Sequence, residues 1–323
     1  MLKNPKNQKF ASVIAATVLL ALSTTAHADV KADAIEFRVS ATIGDVDMIK
    51  QLVAKGISVD TANKFGKSAL MMAVENGNIE TATFLIDNGA NVNAKSVANC
   101  TALTFAAENG HKEIVEMLIA RKVDLNNRTR AGWNAIMAAA RYGYNDIARQ
   151  LIAAKADLSL TDKDGKTALI RAAKFNRVEI IKMLAGAGAD LEARDKHNSS
   201  ALITAVGAGA DAAVAALIDL KANVSAVNDD RSSPLHLAAS EDHRKIAGTL
   251  IAAGADINAR DYNYATPVAV AAREGYSEMV DLLIAAGANV LLADQKGRKP
   301  ADWAAKNGFN ELVSKLKKAE ASQ

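Results

Sequence analysis

The chain has 323 residues, and its 39 basic and 36 acidic side chains leave a formal charge of only +3. Lys3, Lys6 and Lys9 account for that excess, so the rest of the chain is neutral and offers no bulk electrostatic reason to bind nucleic acid or an anionic membrane surface. Cys100 is the only cysteine, which excludes an intramolecular disulfide and leaves stability to packing.

Residues 1 to 28 have the order of a cleaved secretory signal: the three lysines, an apolar run from Phe10 to Leu22, and the small-x-small site Ala26-His27-Ala28. The apolar run falls short of the ~20 residues a membrane-spanning helix needs. Cleavage after Ala28 would start the mature chain at Asp29, in a periplasmic or secreted location and without stable membrane insertion. No cysteine lies near the cleavage site to carry a lipid anchor.

Residues 31 to 63 open the mature chain with an atypical unit. Ile35, Phe37 and Val39 precede Gly44, and Met48, Ile49, Leu52 and Val53 follow it, a pattern suited to a terminal cap. From Leu52 a leucine then recurs every 33 residues, at Leu85, Leu118, Leu151, Leu184, Leu217, Leu250, Leu283 and Leu316. A second column holds Ala73, Ala106, Ala139, Ala172, Ala205, Ala238, Ala271 and Ala304. Such a period, without insertion or deletion, predicts stacked units of one supersecondary design, about nine including caps.

The segment Asp162 to Ala193 shows the design most clearly. A short apolar helix is followed by a turn residue, drawn from Gly44, Gly77, Gly110, Gly143, Asn176, Gly209, Asp242, Gly275 and Gly308, then by a second helix. Gly, Asn and Asp suit a left-handed turn. The alanines let the first helix sit close to its neighbours, while Ile180, Ile181 and Leu184 mark one buried face on the second. Ser233-Pro234 and Thr266-Pro267 read as a capping hydroxyl followed by proline at the first helical position. Gly56, Gly89, Gly188, Gly254 and Gly287 end the second helix, and Lys122, Lys155 and Lys221 replace glycine in that column, where they should strain the turn slightly.

Three chemical decoys fall to the same register. Gly207 to Ala212 imitates a dinucleotide fingerprint, yet Leu202, Ala205, Gly209 and Leu217 hold their columns, so a helix and not a strand precedes the glycines. His236 and His243 flank a turn, and no histidine pair has the i, i+4 spacing of a helical metal site. Asp229 and Asp230 read as a solvated hairpin tip. The sequence therefore predicts no catalytic, cofactor-binding or metal-binding residues. Pro300 to Ala304 begins a closing unit whose last helix carries Lys315, Lys317 and Lys318 toward water, and residues 320 to 323 should fray. Pro234, Pro267 and Pro300 share one repeat position, so no linker interrupts a single domain over 29 to 319.

The phrases Ser233-Pro234-Leu235-His236-Leu237-Ala238-Ala239, Gly110-His111-Lys112-Glu113-Ile114-Val115 and Gly254-Ala255-Asp256-Ile257-Asn258-Ala259 resemble the ankyrin repeat family. The resemblance covers roughly residues 40 to 319. It implies an all-α ankyrin-repeat solenoid of helix-turn-helix-hairpin units that binds another protein, and a structural role for His236. It also implies that partners meet the hairpin tips and the exposed end of each first helix. In the middle repeats these positions hold Arg130, Trp133, Arg141, Tyr142, Lys163, Lys166, Lys174 and Phe175, whereas earlier repeats present Glu75, Asn76, Glu108 and Asn109. Trp133, Tyr142 and Phe175 are either interface anchors or peripheral core. The expected function is a monomeric, non-enzymatic exported protein that binds a partner protein through its concave face and hairpin tips. An inhibitor or immunity-type protein blocking an enzyme is the alternative, and an enzyme or small-ligand binder using residues 207 to 212 a further one. The export reading predicts that the intact mass of the exported protein corresponds to a start at Asp29; a cell-retained chain still beginning at Met1 overturns it.

Overall fold

Residues 30 to 323 are described by a computed structural model of the chain. The segment 1 to 28, expected to be a secretory signal, lies outside them. Among the described residues every extended element is helical, with one isolated bridge between Ala62 and Ser68. By their contacts the described residues form two compact units, one ending at Asn127 and one from Arg128 to Gln323. The physical reason is that each repeat touches only its neighbours, so a repeat stack has no common core that defines one indivisible body.

The first unit contains α1 (residues 30–43), α2 (Val46–Ala54), α3 (Ala69–Glu75), α4 (Ile79–Asp87), α5 (Ala102–Asn109) and α6 (Lys112–Ala120). Within it α3 packs on α4 and α5, while α2 packs on α4. Phe37 and Ala41 of α1 are fully buried, which makes the atypical first unit a working cap.

The second unit alternates short first helices with nine-residue second helices. The first helices are α7 (Ala135–Tyr142), α9 (Ala168–Lys174), α11 (Ala201–Gly207), α13 (Pro234–Ser240), α15 (Pro267–Glu274) and α17 (Pro300–Lys306). The second helices are α8 (Asn145–Ala153), α10 (Val178–Gly186), α12 (Asp211–Asp219), α14 (Arg244–Ala252) and α16 (Ser277–Ala285), closed by the longer α18 (Asn310–Glu320). First helices contact first helices, and second helices contact second helices, along the row. Every leucine of the 33-residue column and every alanine of its companion column is fully buried. Glu320 ends α18, and the Gln323 amide reaches back to donate to the Ala288 carbonyl (2.8 Å) and accept from the Val290 N–H (3.0 Å).

Local rules explain the helix ends. Ser68, Thr101, Asn134, Thr167, Ser200 and Ser233 each accept a hydrogen bond from the backbone N–H three residues on. Thr266 departs from the expected pattern. Pro267 does open α15, but the Thr266 hydroxyl makes no capping bond and is buried without a partner, the helix being closed there by the Val270 N–H on the Thr266 carbonyl (3.0 Å). At the turn between helices Asn176 and Asp242 adopt φ of 56° and 53°, substituting for glycine. Lys122, Lys155 and Lys221 are likewise left-handed, at 58°, 66° and 71°, a conformation that costs an L-residue about 1 kcal/mol.

Hairpin tips are built on a column absent from the sequence reading. One oxygen of Asp162, Asp195, Asn228, Asp261 and Asp294 accepts the N–H groups two and four residues on; for Asp162 these are Asp164 (2.8 Å) and Lys166 (3.0 Å). One backbone bond then joins each tip to the next, as in Lys163 N–H to the Ala131 carbonyl (3.0 Å) and Lys196 N–H to the Asp164 carbonyl (2.9 Å). The tips are consequently an ordered row.

His236 supplies another inter-repeat tie. The Ser233 N–H donates to its Nδ1 (3.2 Å), so Nε2 carries the proton and donates to the Ala265 carbonyl (3.0 Å). Burial pushes the imidazole pKa below its ordinary 6.5, and the Ala265 bond and the charge of Asp261 only partly offset this. Because the unfolded chain takes up this proton first as pH falls, the His236 contribution is complete above about pH 6.5 and declines below it. Urea unfolding of wild type should lose midpoint between pH 7.5 and 5.5, and His236→Gln, already less stable at pH 7.5, should lose less. Equal losses in the two proteins count against this account.

Candidate functional site

The middle basic and aromatic residues meet at the ends of α7 and α9 and at the tip before α7. Trp133 follows Gly132, whose φ is 82° and whose missing side chain is required by contact: a Cβ would lie 2.7 Å from the Asp162 Cα of the next tip. Thr129 fixes the tryptophan backbone by donating its N–H to the Trp133 carbonyl (2.8 Å) and accepting the Trp133 N–H at its hydroxyl (3.1 Å). Arg141 and Tyr142 are the last residues of α7, and in the matching columns Lys174 ends α9 and Phe175 caps it.

Arg141 is central to the geometry. Its guanidinium carbon lies 5.2 Å from the Trp133 ring centre, 5.4 Å from that of Tyr142 and 5.5 Å from that of Phe175, distances at which a cation is attracted to a ring face. Arg177 donates through Nε to the Arg141 carbonyl (3.2 Å), and the rings of Tyr142 and Tyr144 are 5.9 Å apart. Trp133 and Phe175 are half-buried; Tyr142 is 39% exposed. Trp133 packs within the repeat row and still presents part of its surface.

What holds Trp133 in place is Arg171, which sequence reasoning missed. Its guanidinium carbon lies 4.2 Å from the indole centre, and the side chain is buried. Arg171 Nε donates to Asp162 Oδ2 (2.8 Å), Nη2 pairs with the same oxygen, and Asp164 lies 3.7 Å from Nη2. Asp162 therefore closes its own tip with Oδ1 and neutralises Arg171 with Oδ2. A signal was available: position 171 is the only charged member of a repeat column otherwise formed by Met72, Phe105, Ala138, Thr204, Leu237, Val270 and Trp303.

A related arrangement recurs in the last repeats. Asp294 Oδ2 holds Arg298 through Nε (2.9 Å) and Nη2 (2.8 Å), and the Arg298 guanidinium carbon lies 3.8 Å from the Trp303 ring centre. Here tryptophan occupies the Arg171 column and arginine the Trp133 position. Arg273 (5.8 Å) and Lys306 (4.9 Å) complete the cations around that ring.

The other sequence-identified residues are less tightly joined. Lys174 Nζ is 5.9 Å from the Phe175 ring centre. Lys166 is half-buried and lies 3.9 Å from Asp195. Arg130 and Lys163 are exposed on successive tips. Among the described residues no three His, Cys, Asp or Glu side chains gather as metal ligands, and no helix is long and apolar enough to cross a membrane. Residues Ala201 to Gly207 form α11 and Gly209 is a left-handed turn, so the glycine-rich segment lacks the strand a dinucleotide fingerprint requires. Burial raises the Cys100 thiol pKa, which disfavours the reactive thiolate.

Comparison with protein families matches the description Ankyrin repeats (3 copies) at residues 37–129, 121–195 and 192–261, and Ankyrin repeat at 263–295. The chain belongs to the ankyrin repeat family. A comparison with curated proteins found no match. Helices α17 and α18 continue the ankyrin register beyond the last matched residue. Ankyrin repeats are general protein–protein interaction modules, and that coarse function is what the match conveys.

The contact at Gly132 gives a direct test of how the ankyrin scaffold positions Trp133. Gly132→Ala should lower stability by more than Gly188→Ala, because both add a side chain to a left-handed residue but only position 132 has backbone in the way. Thermal unfolding measures the difference, and altered tryptophan emission should accompany Gly132→Ala alone. Equal destabilisation of the two variants contradicts the contact argument.

Proposed function

We propose that the chain is an exported, non-enzymatic ankyrin-repeat protein that acts as a monomer and binds a partner protein through the tips and first-helix ends of its middle repeats. The observation that carries this reading is the Arg141 cluster, with Trp133, Tyr142 and Phe175 around one guanidinium. Trp, Tyr and Arg are the residue types most enriched among interface hot spots, where truncation can cost ~2 kcal/mol or more. The repeat does not require aromatics at these positions, since Lys67 and Ser199 occupy the Trp133 column and Asn76, Asn109, Ala208, Glu241, Glu274 and Asn307 the column of Tyr142 and Phe175.

Arg130, Lys163 and Lys196 are exposed on three successive tips, and the exposed Lys174 lies beside Phe175. Such charge speeds encounter with an acidic partner surface. Export rests on the signal pattern of residues 1 to 28, and a periplasmic setting suits a chain whose only cysteine is Cys100.

Affinity capture from the native exported fraction, followed by mass spectrometry, would identify the partner. Trp133→Ala with Tyr142→Ala should then weaken its binding at least tenfold. Because Trp133 covers the buried Arg171, the double variant should also lose some stability. Tyr142→Ala alone should weaken binding with an unchanged thermal midpoint. Full affinity in both variants would place the site elsewhere.

A further inference from the structure

Four guanidinium groups stack on the two tryptophans of the second unit, and three of them are neutralised. Arg171 is paired with Asp162 and Asp164, Arg298 with Asp294, and Arg273 with Glu274 (2.8 Å). Arg141 alone has no carboxylate partner among the described residues. It is also the one among the four surrounded by three rings, and it is half-buried.

This combination is asymmetric in energy. Rings attract the cation through their faces but accept few strong hydrogen bonds, so the guanidinium loses part of its hydration without gaining a counter-ion. Asp162 and Asp164, on the tip next to that of Trp133, are already engaged by Arg171. Further charge of the same sign is exposed on the successive tips, in Arg130, Lys163 and Lys196, and at the end of α9 in Lys174. A carboxylate from outside the chain would meet planar N–H donors in a fixed orientation, which is the arrangement that makes arginine–carboxylate pairing strong and directional.

Resting on the proposed partner-binding face, we propose that Arg141 receives an Asp or Glu side chain from an acidic segment of the partner protein, with apolar residues beside it lying against Tyr142 and Phe175. Trp133 and Arg171 are positioning residues in this arrangement. The bound carboxylate would supply Arg141 with the neutralisation that Asp162 gives Arg171 and Asp294 gives Arg298.

The test uses a random peptide library displayed on phage and selected against the immobilised exported chain. Sequences enriched on wild type should carry an excess of Asp and Glu with neighbouring apolar residues. A synthetic peptide from that selection should lose at least tenfold in affinity when its acidic residues become Asn or Gln, and at least fivefold against Arg141→Gln. Arg141→Lys should retain the acidic preference with lower affinity, and circular dichroism should show both variants folded. Peptides that depend on Trp133 and Tyr142 but show no acidic preference, or bind Arg141→Gln as well as wild type, would overturn this inference and leave the partner-binding face standing. Peptides indifferent to Trp133→Ala with Tyr142→Ala would overturn both, as would a selection that enriches nothing.

Discussion

A pair of short helices cannot bury both of its apolar faces by itself, and the structure follows from that constraint. The second helix turns one face, such as Ile180, Ile181 and Leu184, toward its own repeat, while the first helix must be covered on two sides by its neighbours. Seven- and eight-residue helices are too short to be stable in isolation. Alanine at the tightest contact therefore serves the stack better than a larger residue, because it lets helix axes approach and leaves no cavity. The absolute regularity of the 33-residue spacing has the same origin. One inserted residue would rotate every following side chain on its helix and move leucines such as Leu217 or Leu250 out of the interior.

The scaffold was legible for this reason. Leu52 to Leu316, Ala73 to Ala304 and the turn column each repeat a single physical requirement many times, so one sequence contains its own comparison. Even the exceptions could be read: Asn176 and Asp242 occupy the left-handed turn where glycine is missing, and the three lysines take the strained helix exit. Thr266 was not legible. Serine or threonine before proline predicts a cap, and whether the hydroxyl reaches the third amide depends on side-chain packing that the sequence does not encode locally. The docking of Gln323 was hidden in the same way, since its contacts lie more than thirty residues back.

The candidate site was only half legible. Trp133, Arg141, Tyr142 and Phe175 stood out because they break the composition of their columns, and the structure brings these four together. Arg171 was overlooked because it lies inside an apolar helix whose other positions are dictated by packing. Asp162 was overlooked because it resembles an ordinary turn residue. Their partnership crosses from a hairpin tip to the following helix, and only the fold shows that one carboxylate serves two oxygens' worth of work: Oδ1 shapes the tip while Oδ2 neutralises a buried cation. Such an ion pair contributes little net stability against an apolar replacement, yet removing one member leaves an unpaired buried charge at a cost of about 3 kcal/mol or more. Its contribution here is orientation of the indole.

That division of labour explains how a chain with a formal charge of only +3 can concentrate basic residues in a few repeats. Positions facing the interior are fixed by packing, so variation in charge is confined to a few columns at the tips and first-helix ends. In the column of Arg141 the successive residues are Glu75, Glu108, Arg141, Lys174, Gly207, Ser240, Arg273 and Lys306. Two acidic residues, two basic, two small and again two basic sum to only +2, a total that hides their order along the row. Net charge is consequently a poor guide to what a repeat protein binds, because the quantity that matters is the order of charges along one column. The pairing within the column sharpens the contrast. Arg171 and Arg298 are neutralised by tip aspartates and hold a tryptophan, Arg273 is neutralised by its neighbour Glu274, and Arg141 pairs with no carboxylate among the described residues.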